Sequence, residues 1–302
     1  MTSATNLMIR LSSRIAKSLS CLFVACAGLC GLATVGCRSV SSLEQAAFTP
    51  PHPLFISHRG ESSQVTENTL GAFRYAMEHN SDGFETDIHL TADGQLVCLH
   101  DCDTQRVFGT AMRVEEHTLA ELRTLRDNPE EGVPTLAEAL AVLRPGKLIF
   151  IEVKDSNPAV VDAMAQDLAC SAVKPEQVVV ISFIAEMVRY SKEKYPQYKT
   201  MWLCGFGKDE KTGEYTDVSY YTGVLKAIRA DGIDCCGDFE YMDADFYRAM
   251  KEAGLEIMVW TIDSTEDARR FIEDGADGIT SNRAASLVVE LQDLRKEGPA
   301  QK

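Results

Sequence analysis

Apolar and polar positions divide the 302-residue chain into three zones. Residues 1–36 open with Arg10, Arg14 and Lys17 and no acid, then run apolar or small from Ser18 to Gly36, the layout of an export signal. Residues 37–53 are polar, small and proline-ended, which suits a tether. From Leu54 onward, short β-rich runs alternate with longer amphipathic ones. The strand-like runs are Leu54 to Ser57, Gly83 to Leu90, Lys147 to Val153, Val178 to Ser182, Lys199 to Leu203, Gly232 to Cys235, Glu256 to Thr261 and Gly278 to Ser281. Helical spacing of apolar residues marks Thr69 to Glu78, Pro158 to Ala172, Ile184 to Tyr195, Ala244 to Ala253 and Thr265 to Asp274. This alternation predicts an α/β fold, a parallel sheet covered by helices. Eight strands favour closure into a (β/α)8 TIM-type barrel over residues 54–297, with an open doubly wound sheet as the alternative.

One run departs from the alternation. Gln95 to His100 follows the second strand after only Thr91-Ala92-Asp93-Gly94, and so short a link permits only an antiparallel hairpin. A two-residue loop sets Asp87 opposite His100, and a four-residue loop sets Glu85 there. Either register gathers these groups on one face, whereas an odd loop without a bulge sends them to opposite faces.

Composition narrows the function classes. The net charge of −15 argues against nucleic-acid binding, and loss of the three basic residues of the leader makes the remainder more acidic still. Thr34-Val35-Gly36-Cys37 resembles a bacterial lipoprotein signal in which Cys37 carries the lipid, although Thr34 stands where such signals usually have Leu. That implies export to a bacterial cell envelope and a membrane attachment through the N-terminal lipid. An uncleaved anchor and ordinary secretion are the alternatives. Six cysteines follow Cys37, and their pairing is open; Cys98, Cys204 and Cys235 fall in or beside strands, where buried thiols act as small hydrophobes. Their spacing does not suggest zinc.

In a barrel of this kind, catalytic groups gather where strands end. The first strand ends in His58-Arg59-Gly60, the second carries Glu85 and Asp87, the hairpin strand ends in His100-Asp101, and the third barrel strand carries Glu152 and Lys154. Glu85 and Asp87, two apart on a strand, share a face. Three carboxylates converging inside a barrel repel one another unless a cation sits between them, and all-oxygen ligands favour Mg²⁺ or Ca²⁺. Read singly, each is a salt-bridged strand-end residue; read together, they are a metal site. Asn68 reads equally as a ligand contact or an N-cap, Trp260 as a wall for the substrate or as core, and His89 shares the parity of Glu85 and Asp87 at the loop end.

Taken in order, His58-Arg59-Gly60, Glu67-Asn68-Thr69, Glu85-Thr86-Asp87, Thr91-Ala92-Asp93-Gly94, His100-Asp101, Pro134-Thr135-Leu136, Glu152-Val153-Lys154, Ser182-Phe183, Trp260-Thr261 and Gly278-Ile279-Thr280 resemble the glycerophosphodiester phosphodiesterase family. The resemblance implies a barrel with a divalent metal on Glu85, Asp87 and Glu152, His58 and His100 as an acid–base pair, and Arg59 and Lys154 on the phosphate. It implies a small-molecule glycerophosphodiester as substrate, cleaved to glycerol phosphate and an alcohol. Asp263, where the family often has Asn, and Ser281-Asn282-Arg283, in place of its usual turn, leave the alcohol specificity open. A phospholipase-like or sugar-phosphodiester activity on the same barrel, or a non-catalytic surface binding protein, are the competing readings.

Overall fold

The structure is a computed structural model that describes residues 50–295. The export segment, Cys37 and most of the tether lie outside the described residues. Nine strands form the sheet: β1 (Leu54–Ser57), β2 (Gly83–Leu90), β3 (Leu96–Cys98), β4 (Leu148–Val153), β5 (Val178–Ser182), β6 (Lys199–Cys204), β7 (Gly232–Cys236), β8 (Glu256–Trp260) and β9 (Gly278–Ser281). All but β3 are parallel, and β1 pairs with both β2 and β9, so eight strands close into a barrel. The open-sheet alternative is thereby excluded.

Strand alternation sorts side chains into two cores. On β4, Leu148 and Phe150 point inward with Ile56, Ile181, Met201 and Met258, while Ile149, Ile151 and Val153 pack outward under the helices. Glu152 continues the inward series. The same parity on β2 sends Phe84 and Ile88 outward into the helix layer and Glu85 and Asp87 inward. Among the described residues, no helix is long and apolar enough to cross a membrane. All six cysteines from Cys98 to Cys236 are free thiols, with Cys98, Cys204 and Cys235 buried.

The expected helices are present within a few residues, and others appear whose apolar spacing is less regular. Val218–Ile228 contains a glycine, two tyrosines and β-branched residues, all mediocre helix formers, but it is capped by Asp217, whose carboxylate accepts from Ser219 N at 2.8 Å.

The hairpin register is corrected. Ile88 pairs with Cys98, His89 with Val97 and Leu90 with Leu96, so the loop runs from Thr91 through Gln95, an odd number of residues. Its length is set by Thr91, whose hydroxyl accepts from Gln95 N at 2.9 Å and donates to Asp93 Oδ1 at 2.7 Å. Extended in this register, His100 would face Thr86 rather than Glu85 or Asp87. It reaches the barrel mouth by another route. The strand ends at Cys98, one further backbone bond runs from Leu99 N to Asp87 O at 3.1 Å, and the chain enters a satellite with its own apolar cluster of Val97, Leu99, Phe108, Val114, Leu122 and Val133.

Candidate active site

Glu85, Asp87 and Glu152 are buried and each offers a carboxylate oxygen within 4.8 Å of the others. Asp87 and Glu152 are direct partners on adjacent strands. Burial raises the Glu85 carboxyl well above its usual range, and the charges of Asp87 and Glu152 push it further; burial also pushes Glu152 up to about 7. For Asp87 burial is overcome by Lys154 and Arg59, which hold its carboxyl well below the usual range. Lys154 Nζ lies 2.9 Å from Asp87 Oδ1 and 2.8 Å from Glu152 Oε2. Glu85 Oε1 has no hydrogen-bond partner among the described residues. One cation is thus shared by two of the acids, and the third keeps an unpaired buried oxygen, so the donor set fits a divalent ion with oxygen ligands.

The turn after β1 aims the basic groups at this cluster. Arg59 and Gly60 both have positive φ (55° and 73°), and a Cβ on Gly60 would stand 2.7 Å from Ala72, so only glycine lets the turn press against the first helix. Arg59 N donates to Glu85 Oε2 at 2.8 Å. Arg59 Nη1 donates to Glu67 at 3.0 Å; Arg106 Nη2 donates to the same oxygen at 2.7 Å, and its Nε donates to Asp101 at 2.6 Å. Asp101 in turn holds His100 Nδ1 at 2.7 Å. A continuous charged network therefore joins the β1 turn to His100.

Above the acids lies a cavity of about 480 Å³ including its open mouth. His58, Arg59, Glu85, His100 and Glu152 line it together with Ile181, Phe183, Leu203, Asp234, Trp260, Thr261 and Thr280. A family model for the "Glycerophosphoryl diester phosphodiesterase family" matches residues 58–286, which takes in every one of these groups. The chain belongs to that family. It is 29% identical over 251 residues to a glycerophosphodiester phosphodiesterase of Caldanaerobacter subterraneus subsp. tengcongensis, covering 78% of this chain and 96% of that protein. It is 33% identical over 272 residues to glycerophosphodiester phosphodiesterase 1 of Bos taurus, covering 78% and 80%. Among solved structures, the Thermotoga maritima glycerophosphodiester phosphodiesterase shares 26% identity at a TM-score of 0.65, over 80% of this chain and 99% of that one. An Oleispira antarctica phosphodiesterase solved with its product sn-glycerol-3-phosphate shares the fold, at 20% identity and a TM-score of 0.69, over 80% and 97%. Family membership makes the chain a phosphoric diester hydrolase.

Within this family site, the structure gives the weaker sequence candidates specific positions. Asn68 does not line the cavity. It is buried, donates through Nδ2 to Asp87 Oδ2 at 2.8 Å and accepts from Thr86 Oγ1 at 2.9 Å, while the N-cap of the first helix is Thr69. These bonds fix the orientation of the Asp87 carboxylate. Trp260 does line the cavity, edge-on to Phe183 at 5.6 Å, with Nε1 donating to the Asp234 carbonyl at 3.0 Å. His89 stands outside the wall, bonded to Asp155 at 3.2 Å and to the His100 carbonyl at 3.3 Å.

Of the departures from the family pattern at the strand ends, Asn282 touches the site and Asp263 holds Asn282 in place. Asn282 Oδ1 lies 2.8 Å from His58 Nδ1, and Asn282 Nδ2 donates to Asp263 Oδ2 at 2.7 Å. The Asp263 carboxylate can only accept, which fixes the amide orientation, so Asn282 presents its carbonyl and His58 Nδ1 carries the proton. In the neutral ring, Nε2 is then the nitrogen without a proton. Burial, with Arg59 next to it, lowers the imidazole below its usual value of 6.5.

Proposed function

We propose that the protein hydrolyses glycerophosphodiesters to a glycerol phosphate and an alcohol, with Mg²⁺ or Ca²⁺ on Glu85, Asp87 and Glu152. The observation that carries this reading is the convergence, on one cavity, of a buried three-carboxylate cluster and two histidines from separate elements. When bound, the cation would neutralise the acids and polarise the phosphate oxygens. Arg59 and Lys154 add positive charge for the non-bridging oxygens, Arg59 as a fork and Lys154 as a point charge.

His58, neutral and fixed by Asn282, takes the proton of the attacking hydroxyl. His100, aligned by Asp101, gives one to the departing alkoxide. The attacker in this reading is the glycerol hydroxyl next to the phosphate. The new P–O bond closes a cyclic phosphate as the head-group P–O bond breaks, and water then opens the ring with the two histidines exchanging roles. Proximity favours such an internal attack. The test is release of glycerol phosphate from a panel of deacylated phospholipids, with and without chelator. Turnover of intact phospholipids or sugar phosphodiesters alone would move the activity to those substrates, and inactivity on every phosphodiester with metal supplied would favour a binding protein.

Because a base works only when unprotonated, activity falls as pH drops through the His58 pKa. With that value lowered, the acidic limb of kcat/KM lies below pH 6.5. With the metal saturating at every pH, a limb at or above 6.5 would take the base role away from His58.

Outside the described residues, the reading includes a lipid anchor on Cys37 and residence in the bacterial envelope. Wild-type protein then fractionates with membranes, and Cys37→Ser accumulates as an unprocessed precursor, since acyl chains contribute about 0.8 kcal/mol per buried CH₂. Mass spectrometry of the wild type showing an intact Met1 terminus would replace the lipid anchor with an uncleaved one.

A further inference from the structure

On β7 and β9, strands other than the two that carry the acidic cluster, two buried polar side chains reach the same cavity. Asp234 is 1% exposed and Thr280 3%, and both line the cavity. Neither Asp234 Oδ1 nor Thr280 Oγ1 has a hydrogen-bond partner among the described residues. Buried polar groups left unpaired are costly and uncommon, and two facing one cavity imply a ligand that completes them. The acid–base chemistry described above uses neither. Asp234 also lies outside the cluster of three acids able to share an ion.

The surroundings define what that ligand brings. Ile181, Leu203 and Trp260 make the neighbouring wall apolar. Burial, with Glu152 adding to it, pushes the Asp234 carboxyl up to about 8, so near neutrality its O–H donates and its C=O accepts. A polyol suits such a surface, with C–H faces on the apolar wall and hydroxyls on Asp234 and Thr280. An apolar alcohol would leave both groups unpaired, and an ammonium would donate without accepting. The closed position of the two groups also favours the arm common to every substrate, since a head group of variable size needs the open mouth.

The geometry points to Asp234, with Thr280, as the specificity-determining contact that receives a hydroxyl of the substrate's glycerol arm. This rests on the glycerophosphodiester reading. The test is calorimetric binding to the full-length protein with saturating Ca²⁺, using glycerol 3-phosphate, propyl phosphate, phosphoethanolamine and inorganic phosphate as probes. Wild type binds glycerol 3-phosphate more tightly than propyl phosphate. Asp234→Leu weakens glycerol 3-phosphate roughly 10- to 100-fold and changes propyl phosphate and inorganic phosphate little. Thr280→Val moves in the same direction and carries the comparison should Asp234→Leu not fold. Asp234→Asn restores most of the preference, because an amide both donates and accepts. Undiminished preference in Asp234→Leu and Thr280→Val, an equal loss for all probes, or a larger loss for phosphoethanolamine than for glycerol 3-phosphate would each overturn the assignment. Turnover of a panel of glycerophosphodiesters by the wild type is decided separately: its absence across the whole panel would sink the reaction reading, while the binding differences still decide the role of Asp234.

Discussion

Replacing His58 or His100 with alanine lowers kcat by roughly 10²- to 10⁴-fold, the usual worth of a positioned acid or base, with affinity for the divalent ion close to wild type. Each ring faces the cavity, yet neither belongs to the carboxylate cluster, so the cation's ligands survive either change. The two variants should differ in pH behaviour. Loss of His58 removes the limb that lies below pH 6.5, because it removes the group whose deprotonation the limb reports. Loss of His100 leaves that limb in place. A leaving group that departs readily without protonation, such as p-nitrophenol, should rescue His100→Ala far more than His58→Ala. Steady-state kinetics on glycerophosphocholine and on a glycerol p-nitrophenyl phosphodiester make the comparison. Full turnover in both alanine variants would remove the acid–base scheme, whereas equal rates on diesters with and without the vicinal hydroxyl would remove only the cyclic step.

What was legible in the sequence follows from period and proximity. Glu85 and Asp87 share a face because side chains on a strand alternate, and β4 places Glu152 on the same inner face by the parity of Leu148 and Phe150. That much needs no partner strand. Register between strands is different, because it depends on loop closure: Thr91 bonding across to Gln95 makes the hairpin loop odd, and pattern alone does not count that residue. His100 reaches the cavity through the satellite that follows β3, whose core draws on residues spread from Val97 to Val133. Asn282 and Asp263 were visible as polar residues at strand ends. Their link to His58 exists only because β9 lies between β8 and β1, where the barrel closes. Asp234 sits in the run Gly232-Ile233-Asp234-Cys235-Cys236, where inward parity with Gly232 was the available signal and an apolar flank concealed it.

Removing the divalent ion abolishes turnover, and Glu152→Gln reproduces much of that loss while leaving the barrel folded. The glutamine keeps an oxygen toward the ion but no charge, and affinity falls by roughly 10²-fold or more, given that even residues behind metal ligands commonly cost about 10- to 100-fold. Stability moves the other way. In the metal-free protein Glu85 and Glu152 have carboxyls raised above their ordinary value, Glu152 to about 7 from 4.5. The folded state thus holds protons that the unfolded chain has released. The stabilisation this gives is fully present below pH 4.5 and is lost as pH rises through about 7. Metal-free wild type therefore melts at progressively lower temperature between those limits, and Glu152→Gln, with one buried acid fewer, shows a shallower decline and an equal or higher Tm at pH 8. Added Ca²⁺ or Mg²⁺ restores the wild type more than the variant. Binding is tighter at pH 8 than at pH 6, because the ion must displace protons from the raised carboxyls. Calorimetric melting across pH, with chelator and with metal, measures both effects. Full activity in excess chelator would rule out these acids as the ligands of an essential cation, and a metal-free wild type whose Tm declines no more steeply with pH than that of Glu152→Gln would remove the stability argument.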